Sequence, residues 1–215
     1  MINLNGADRV TINGADSATN SGQYLRLVNN HLTPANTGNV IVFKNDARND
    51  SVKNCILESN STTAANAVIL LSTTTGTLGN DSIFVDDCLI RASTGTNPGR
   101  YLQAYSSAGS GSGGAIRNSD NFIRNSSFTG MLATASSVIL VSGTGNGDNW
   151  TIANNKIYND LNFTVAHVAI SVNNLGTNNV LISGNSIGGA NPDLSGTFYG
   201  SNTAGISLRG IQLSV

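Results

Sequence analysis

Short apolar clusters recur along this chain, separated by stretches of Gly, Ser, Thr and Asn. One six-residue pattern returns throughout. An aliphatic residue is followed by any residue, then Asn, Asp or Gly, then Asn, Cys or Ser, then any residue and a large apolar one. It reads LVNNHL from Leu27, VKNCIL from Val52, VDDCLI from Val85, IRNSSF from Ile123, IANNKI from Ile152 and ISGNSI from Ile182. The starts are separated by 25, 33, 38, 29 and 30 residues. Between them lies a second class of strand-like run: Val40–Phe43, Ala67–Leu71, Tyr101–Tyr105, Ser137–Val141, His167–Val172 and Gly205–Leu208.

Return of the same residue class at the same place is what stacking of like on like requires. Two-residue Asn-Gly hairpin signals are scarce between the runs, which argues against a sandwich or barrel. Helical periodicity is absent, which argues against βαβ units. The pattern therefore predicts an all-β solenoid of about seven coils, with a period of roughly 30 residues. Coils about 4.8 Å apart put the fourth motif position of each repeat over its counterpart. That column runs Asn30, Cys55, Cys88, Ser126, Asn155 and Asn185. Such small polar groups are expected to satisfy buried amides along the stack.

Composition sharpens this picture. Charged residues make up 11% of the 215 positions and the formal net charge is −1, which gives no electrostatic reason to expect nucleic acid or an anionic membrane. No apolar run approaches the ~18 residues of a spanning helix, so no membrane insertion is expected. Met1 opens straight into Ile2-Asn3-Leu4-Asn5-Gly6, without a basic or apolar leader. The last residues, 205–215, are strand-like to the end. The expectation is a single domain, 1–215, cut from a longer multidomain chain.

The runs Asn149-Trp150-Thr151-Ile152-Ala153-Asn154-Asn155-Lys156-Ile157 and Asn179-Val180-Leu181-Ile182-Ser183-Gly184-Asn185-Ser186-Ile187 resemble the repeats of the pectate-lyase-like superfamily of right-handed parallel β-helices. The segments Ile2–Gly14 and Ile187–Pro192 resemble parts of very large bacterial surface proteins that string several such domains together. The resemblance covers nearly the whole chain. It implies a right-handed parallel β-helix from a secreted or cell-surface, adhesin-like protein. About activity it says little, because this scaffold hosts lyases, hydrolases and plain adhesins.

No convergent catalytic constellation is legible, and the reading leans away from an enzyme. Asp86-Asp87 is the one paired carboxylate of the kind polygalacturonase-like hydrolases use, but their Gly-His-Gly and Arg-x-Lys partners do not occur. Register instead stacks Lys53, Asp86 and Arg124 into a compensated row, worth about a few tenths of a kcal/mol per exposed pair. Glu58 and Arg91 align in the same way. The remaining carboxylates are scattered, whereas calcium wants six or more converging oxygens. Gly145-Asn146-Gly147-Asp148-Asn149 is the best local calcium candidate, and a simple turn accounts for it. A structural calcium ion is allowed but not indicated, and no other cofactor is expected. Zinc lacks ligand spacing, since His31 and His167 lie far apart. His167 begins a strand, where a solvent-facing or capping role is the default. Cys55 and Cys88 are expected about 5 Å apart in consecutive coils, inside the disulfide window. Their side chains point the same way rather than at each other, which favours buried free thiols.

Tyr101, Tyr105 and Trp150 are the candidate glycan contacts, because flat aromatic faces suit sugar rings. Phe43 and Phe128 are expected in the core. The resulting expectation is a structural or adhesive module that binds a polysaccharide or cell-surface glycan weakly and packs against neighbouring domains of its own chain. The competing reading is a lyase or glycoside hydrolase acting on an acidic polysaccharide. Ice binding would need Thr at one fixed strand position in every coil. Thr62-Thr63 and Thr73-Thr74-Thr75 fall in predicted loops instead.

Overall fold

The computed structural model describes residues 1–30, 38–60, 67–72, 77–93, 105–108, 117–130, 137–142, 148–159, 166–173, 179–197 and 208–214. Every element among them is a β-strand. The first triplet is β1 (Ile2–Asn5), β2 (Thr11–Asn13) and β3 (Leu25–Asn29), and the second is β4 (Ile41–Lys44), β5 (Ser51–Lys53) and β6 (Cys55–Ser59). Next come β7 (Ile69–Leu71), β8 (Phe84–Asp86) and β9 (Leu89–Ala92), then β10 (Tyr105–Ala108), β11 (Phe122–Arg124) and β12 (Ser127–Thr129). The fifth triplet is β13 (Ser137–Ser142), β14 (Thr151–Ala153) and β15 (Lys156–Ile157). The sixth is β16 (His167–Asn173), β17 (Leu181–Ser183) and β18 (Ser186–Ile187), and β19 (Leu208–Ser214) follows.

Each strand pairs in parallel with the strand three places along the chain. The result is one seven-stranded sheet holding β1 to β19, and two six-stranded sheets holding β2 to β17 and β3 to β18.

The six-residue motif is the corner between the second and third sheets. Its third residue occupies the left-handed region in five successive repeats: Asn54, Asp87, Asn125, Asn154 and Gly184, at φ +55°, +49°, +51°, +56° and +63°. Gly, Asn and Asp are the residues that tolerate this conformation, which is why the motif allows only them. The corner between the first and second sheets uses the same device. Arg9, Asn49, Ser82, Asp120, Asn149 and Asn179 have φ between +54° and +62°.

Alternation along each strand sends one set of side chains inward. Ile12, Val52, Val85, Ile123, Ile152 and Ile182 form one apolar column, and Leu27, Leu57, Ile90, Phe128, Ile157 and Ile187 another. Ile41, Phe43, Ile69, Leu71, Ile139, Val141, Ile170 and Val172 are the corresponding buried residues of the first sheet. Each fully buried aliphatic side chain contributes about 1.5–3 kcal/mol. The columns open at both ends of the stack: Ile2, Leu4, Ile12 and Leu27 are only partly buried at one end, as are Ile182 and Ile187 at the other.

Two expectations about register are corrected. LVNNHL is not the first-repeat copy of the motif, because Leu27 aligns with Leu57 and Leu25 with Cys55. The true copy is split: Ile12-Asn13-Gly14 supplies its first half and Leu25-Arg26-Leu27 its second, with residues 15–24 inserted at the corner. Gly14 is required there, since a Cβ would lie 2.1 Å from the Asn54 carbonyl oxygen. The fourth strand of the first sheet is Tyr105–Ala108, so the Ser-rich stretch after Tyr105 begins as strand rather than loop. Residues 101–104 lie outside the described residues, as do His31 and the Thr runs at 62–63 and 73–75.

Candidate functional site

From Cys88 to Asn185 the fourth-position column is a continuous hydrogen-bonded ladder over four repeats. The Cys88 amide donates to Ser126 Oγ (3.1 Å), the Ser126 amide to Asn155 Oδ1 (3.0 Å), and the Asn155 amide to Asn185 Oδ1 (3.0 Å). Each side chain also donates to a strand carbonyl: Ser126 Oγ to Arg124 (2.8 Å), Asn155 Nδ2 to Ile123 (2.9 Å) and Asn185 Nδ2 to Ile152 (2.7 Å). Cys55 Sγ lies 3.1 Å from the Lys53 carbonyl, and Cys88 Sγ 3.4 Å from that of Asp86. Both thiols are free and buried. Cys88 holds its proton well above the usual thiol range, because it is hydrogen-bonded to Cys55 and desolvated.

Asn30 does not belong to this ladder. It aligns with Asn60, and its Oδ1 accepts from Ser93 Oγ (3.0 Å) at the far end of the third-sheet strands. Leu25 takes the ladder position in the first repeat.

Several charged residues form ion pairs across neighbouring repeats. Glu58 is fully buried and gripped by Arg26 (2.6 Å) and Arg91 (2.7 Å). Burial alone would raise its pKa, but the hydrogen bonds from the two guanidinium groups outweigh it and hold the carboxyl below its ordinary value. Lys53, Asp86 and Arg124 stand in one row as expected from their register, and Arg124 pairs with Asp86 at 2.9 Å. Asp87 is the left-handed corner residue, and Gln23 Nε2 donates to its carbonyl oxygen (2.8 Å). The same Gln23 amide lies 3.3 Å from Asp87 Oδ1, so it contacts both the carbonyl and the side chain of this corner residue. Among the described residues, no three His, Cys, Asp or Glu side chains converge to hold a metal ion. Residues 145–147 of the candidate calcium turn lie outside the described residues.

Of the candidate sugar contacts, Trp150 is corrected. It is wholly buried, at the inner position of the first corner, and its indole N–H donates to the Asn118 carbonyl (2.9 Å). That bond satisfies its polar edge inside the core, so neither ring face meets solvent. Tyr105 stands in register between Ile69 and Ile139, both fully buried, while Tyr101 lies outside the described residues. His167 is also buried rather than solvent-facing, at the start of the sixth of the seven first-sheet strands, between β13 and β19.

The outer face of the second sheet carries an aromatic step that sequence reasoning missed. Phe84 and Phe122 align in consecutive repeats and stack with centroids 4.6 Å apart and planes 2° apart. Both rings remain partly exposed. Their column continues as Thr11 and Ser51 on one side and Thr151 and Leu181 on the other. Short hydroxyl side chains thus border the stack at either end and leave room beside the outer ring faces. Two residues further along the strands, on the same face, lie Lys53, Asp86 and Arg124. A signal for this step exists in the sequence: Phe immediately precedes the motif at both Val85 and Ile123, and period-2 alternation points it outward.

A shallow depression of about 290 Å³ on the first sheet is bordered by Asn3, Val42, Lys44 and Leu70, without a pair of acid–base groups. Compared with protein-family models, curated proteins and solved structures, the chain matches none of them.

Proposed function

We propose that the chain is a right-handed parallel β-helix of about seven coils that serves as a structural or adhesive module of a secreted or cell-surface bacterial protein. In this reading it binds a polysaccharide or cell-surface glycan through the Phe84–Phe122 step. Support for the solenoid comes from the i to i+3 strand pairing across three sheets, with six triplets and a further first-sheet strand. Right-handedness follows the strong bias of parallel crossovers. The resemblance to pectate-lyase-like repeats and large surface proteins supports the cellular setting. Neighbouring domains of the same chain complete the assembly, with no nucleic-acid or membrane-inserting role.

The observation that carries the binding reading is the partly exposed aromatic stack, flanked by hydroxyl groups and a balanced charged row. Apolar ring faces give contact area to the C–H side of a sugar, and nearby hydroxyl, guanidinium and carboxylate groups give direction. The acid–base pairs near it are spent on one another, as with Arg124 and Asp86. This favours binding over cleavage by a lyase or hydrolase.

The test is retention of a panel of neutral and acidic polysaccharides by immobilised protein, with eluted polymer sized. Retention without shortening is expected. Shortening abolished by a point substitution would establish the lyase or hydrolase reading instead, and absence of retention would remove the glycan from the account.

A further inference from the structure

The column at the inner side of the first corner contains one carboxyl group among otherwise neutral side chains. It runs Val10, Asp50, Ile83, Asn121, Trp150 and Val180. Asn121 shows what a polar side chain does there: its Oδ1 accepts the Ile83 amide of the preceding repeat (2.9 Å) and its Nδ2 donates to the Asn80 carbonyl (3.2 Å). Asp50 makes the first of these bonds, with Oδ1 accepting the Val10 amide (2.8 Å). Its residue is fully buried, and Oδ2 has no hydrogen-bond partner among the described residues. By register, the carbonyl that corresponds to Asn80 is that of Ala7, which accepts the Arg48 amide (2.9 Å) and has a second lone pair to offer. A bare carboxylate oxygen facing a carbonyl repels it, whereas a carboxylic acid donates to it as the amide of Asn121 does.

We propose that Asp50 is held in the folded chain as the neutral acid, and that its proton latches the first strand triplet onto the second. Ionisation at higher pH loosens that triplet and uncovers the edge of β4, β5 and β6. The charged groups around Asp50 do not remove the effect. Asp8 in the first triplet opposes ionisation, while Arg9 beside it is largely exposed and spends its charge on Asp8. Arg48 in the same corner bridges in the ladder between Asp8 and Asp81, the acid contributed by the third triplet. Desolvation raises the Asp50 pKa, outweighing the Val10 hydrogen bond that lowers it. A raised folded-state pKa means the latch is complete below the unfolded value of 3.8 and is lost as pH rises through the folded value.

Two measurements test this. In the first, amide exchange at Val10 and Gly14, corrected for intrinsic pH dependence, is compared between the wild-type chain and Asp50→Asn. Asparagine supplies the donor at every pH. The expected result is that wild-type protection falls relative to the variant as pH rises, by about tenfold for each unit by which the Asp50 pKa exceeds 3.8. A ratio independent of pH, or a variant less protected throughout, overturns the proposal. The second, carboxyl ¹³C titration of the wild-type chain, decides the matter even where the variant does not fold. An Asp50 pKa at or below 3.8 refutes the latch.

Discussion

Truncating Asn155 to Ala removes the central rung of the polar ladder, and the cost can be worked from its bonds. Asn155 Oδ1 accepts the Ser126 amide at 3.0 Å, and Nδ2 donates to the Ile123 carbonyl at 2.9 Å. The Ser126 amide is stranded by the substitution, in a column where Asn155 and Ser126 are buried, whereas the Ile123 carbonyl loses a second donor and keeps its place in the parallel ladder with β14. Asn185 Oδ1 keeps the Asn155 amide and adds no orphan. One orphaned amide at about 1–3 kcal/mol and one further lost hydrogen bond at about 0.5–1.5 kcal/mol give an expected loss of about 2–4 kcal/mol. Asn155→Ser should cost roughly half as much. Ser126 shows that a hydroxyl at this position accepts the amide of the neighbouring repeat and donates to the carbonyl two residues back. A serine at position 155 therefore loses only the second donor to the Ile123 carbonyl. Urea unfolding followed by circular dichroism measures both variants, provided the m-value is unchanged. An alanine variant within about 0.5 kcal/mol of the wild type would refute the ladder, since it would mean that these groups need no partner. So would a serine variant as costly as alanine.

Three further expectations follow from the same geometry. Phe128→Ala empties a fully buried column position between Ile90 and Ile157, and should cost about 3–5 kcal/mol in the same unfolding assay; a loss below about 1.5 kcal/mol would contradict the packing. Asp81, whose pKa is pushed up to about 6 by burial and by Asp120 and Asp46, lends stability that is complete below 3.8 and lost as pH rises through about 6. Thermal midpoints across that range should therefore fall for the wild type relative to Asp81→Asn, and a flat difference would contradict it. Asn125, at φ +51°, should accept Gly readily, whereas Asn125→Val should cost about 1–2 kcal/mol more; equal stabilities would deny the left-handed corner.

Much of this architecture is legible in the sequence because the corners impose a local rule. A left-handed residue at the second-to-third-sheet corner of five repeats admits Asn, Asp or Gly, and the next position must feed a ladder, so Cys55 to Asn185 fall into register on paper. The first repeat defeats the same reading. Insertion of residues 15–24 between Gly14 and Leu25 splits the motif, and a chance match at Leu27 takes its place. Trp150 illustrates a second limit. Period-2 alternation assigns faces within strands, but this residue sits in a corner, where the backbone turns and sends its indole inward. Phe84 and Phe122 were open to alternation and were passed over because their significance lies in the pair. Only cross-repeat register brings the two rings face to face. The Asp50 column was hidden for a similar reason, since its members share no residue type and are united by position alone.

The most direct test of the binding account is the affinity of a retained polysaccharide for the wild-type chain and for the doubly truncated Phe84→Ala, Phe122→Ala variant, with unchanged circular dichroism as the control for folding. Each lost ring contact is worth about 0.5–1.5 kcal/mol, so the double variant should bind about 5- to 150-fold more weakly. Superimposable binding curves would show that the glycan lies elsewhere, and would contradict the assignment of the second-sheet face as the binding surface.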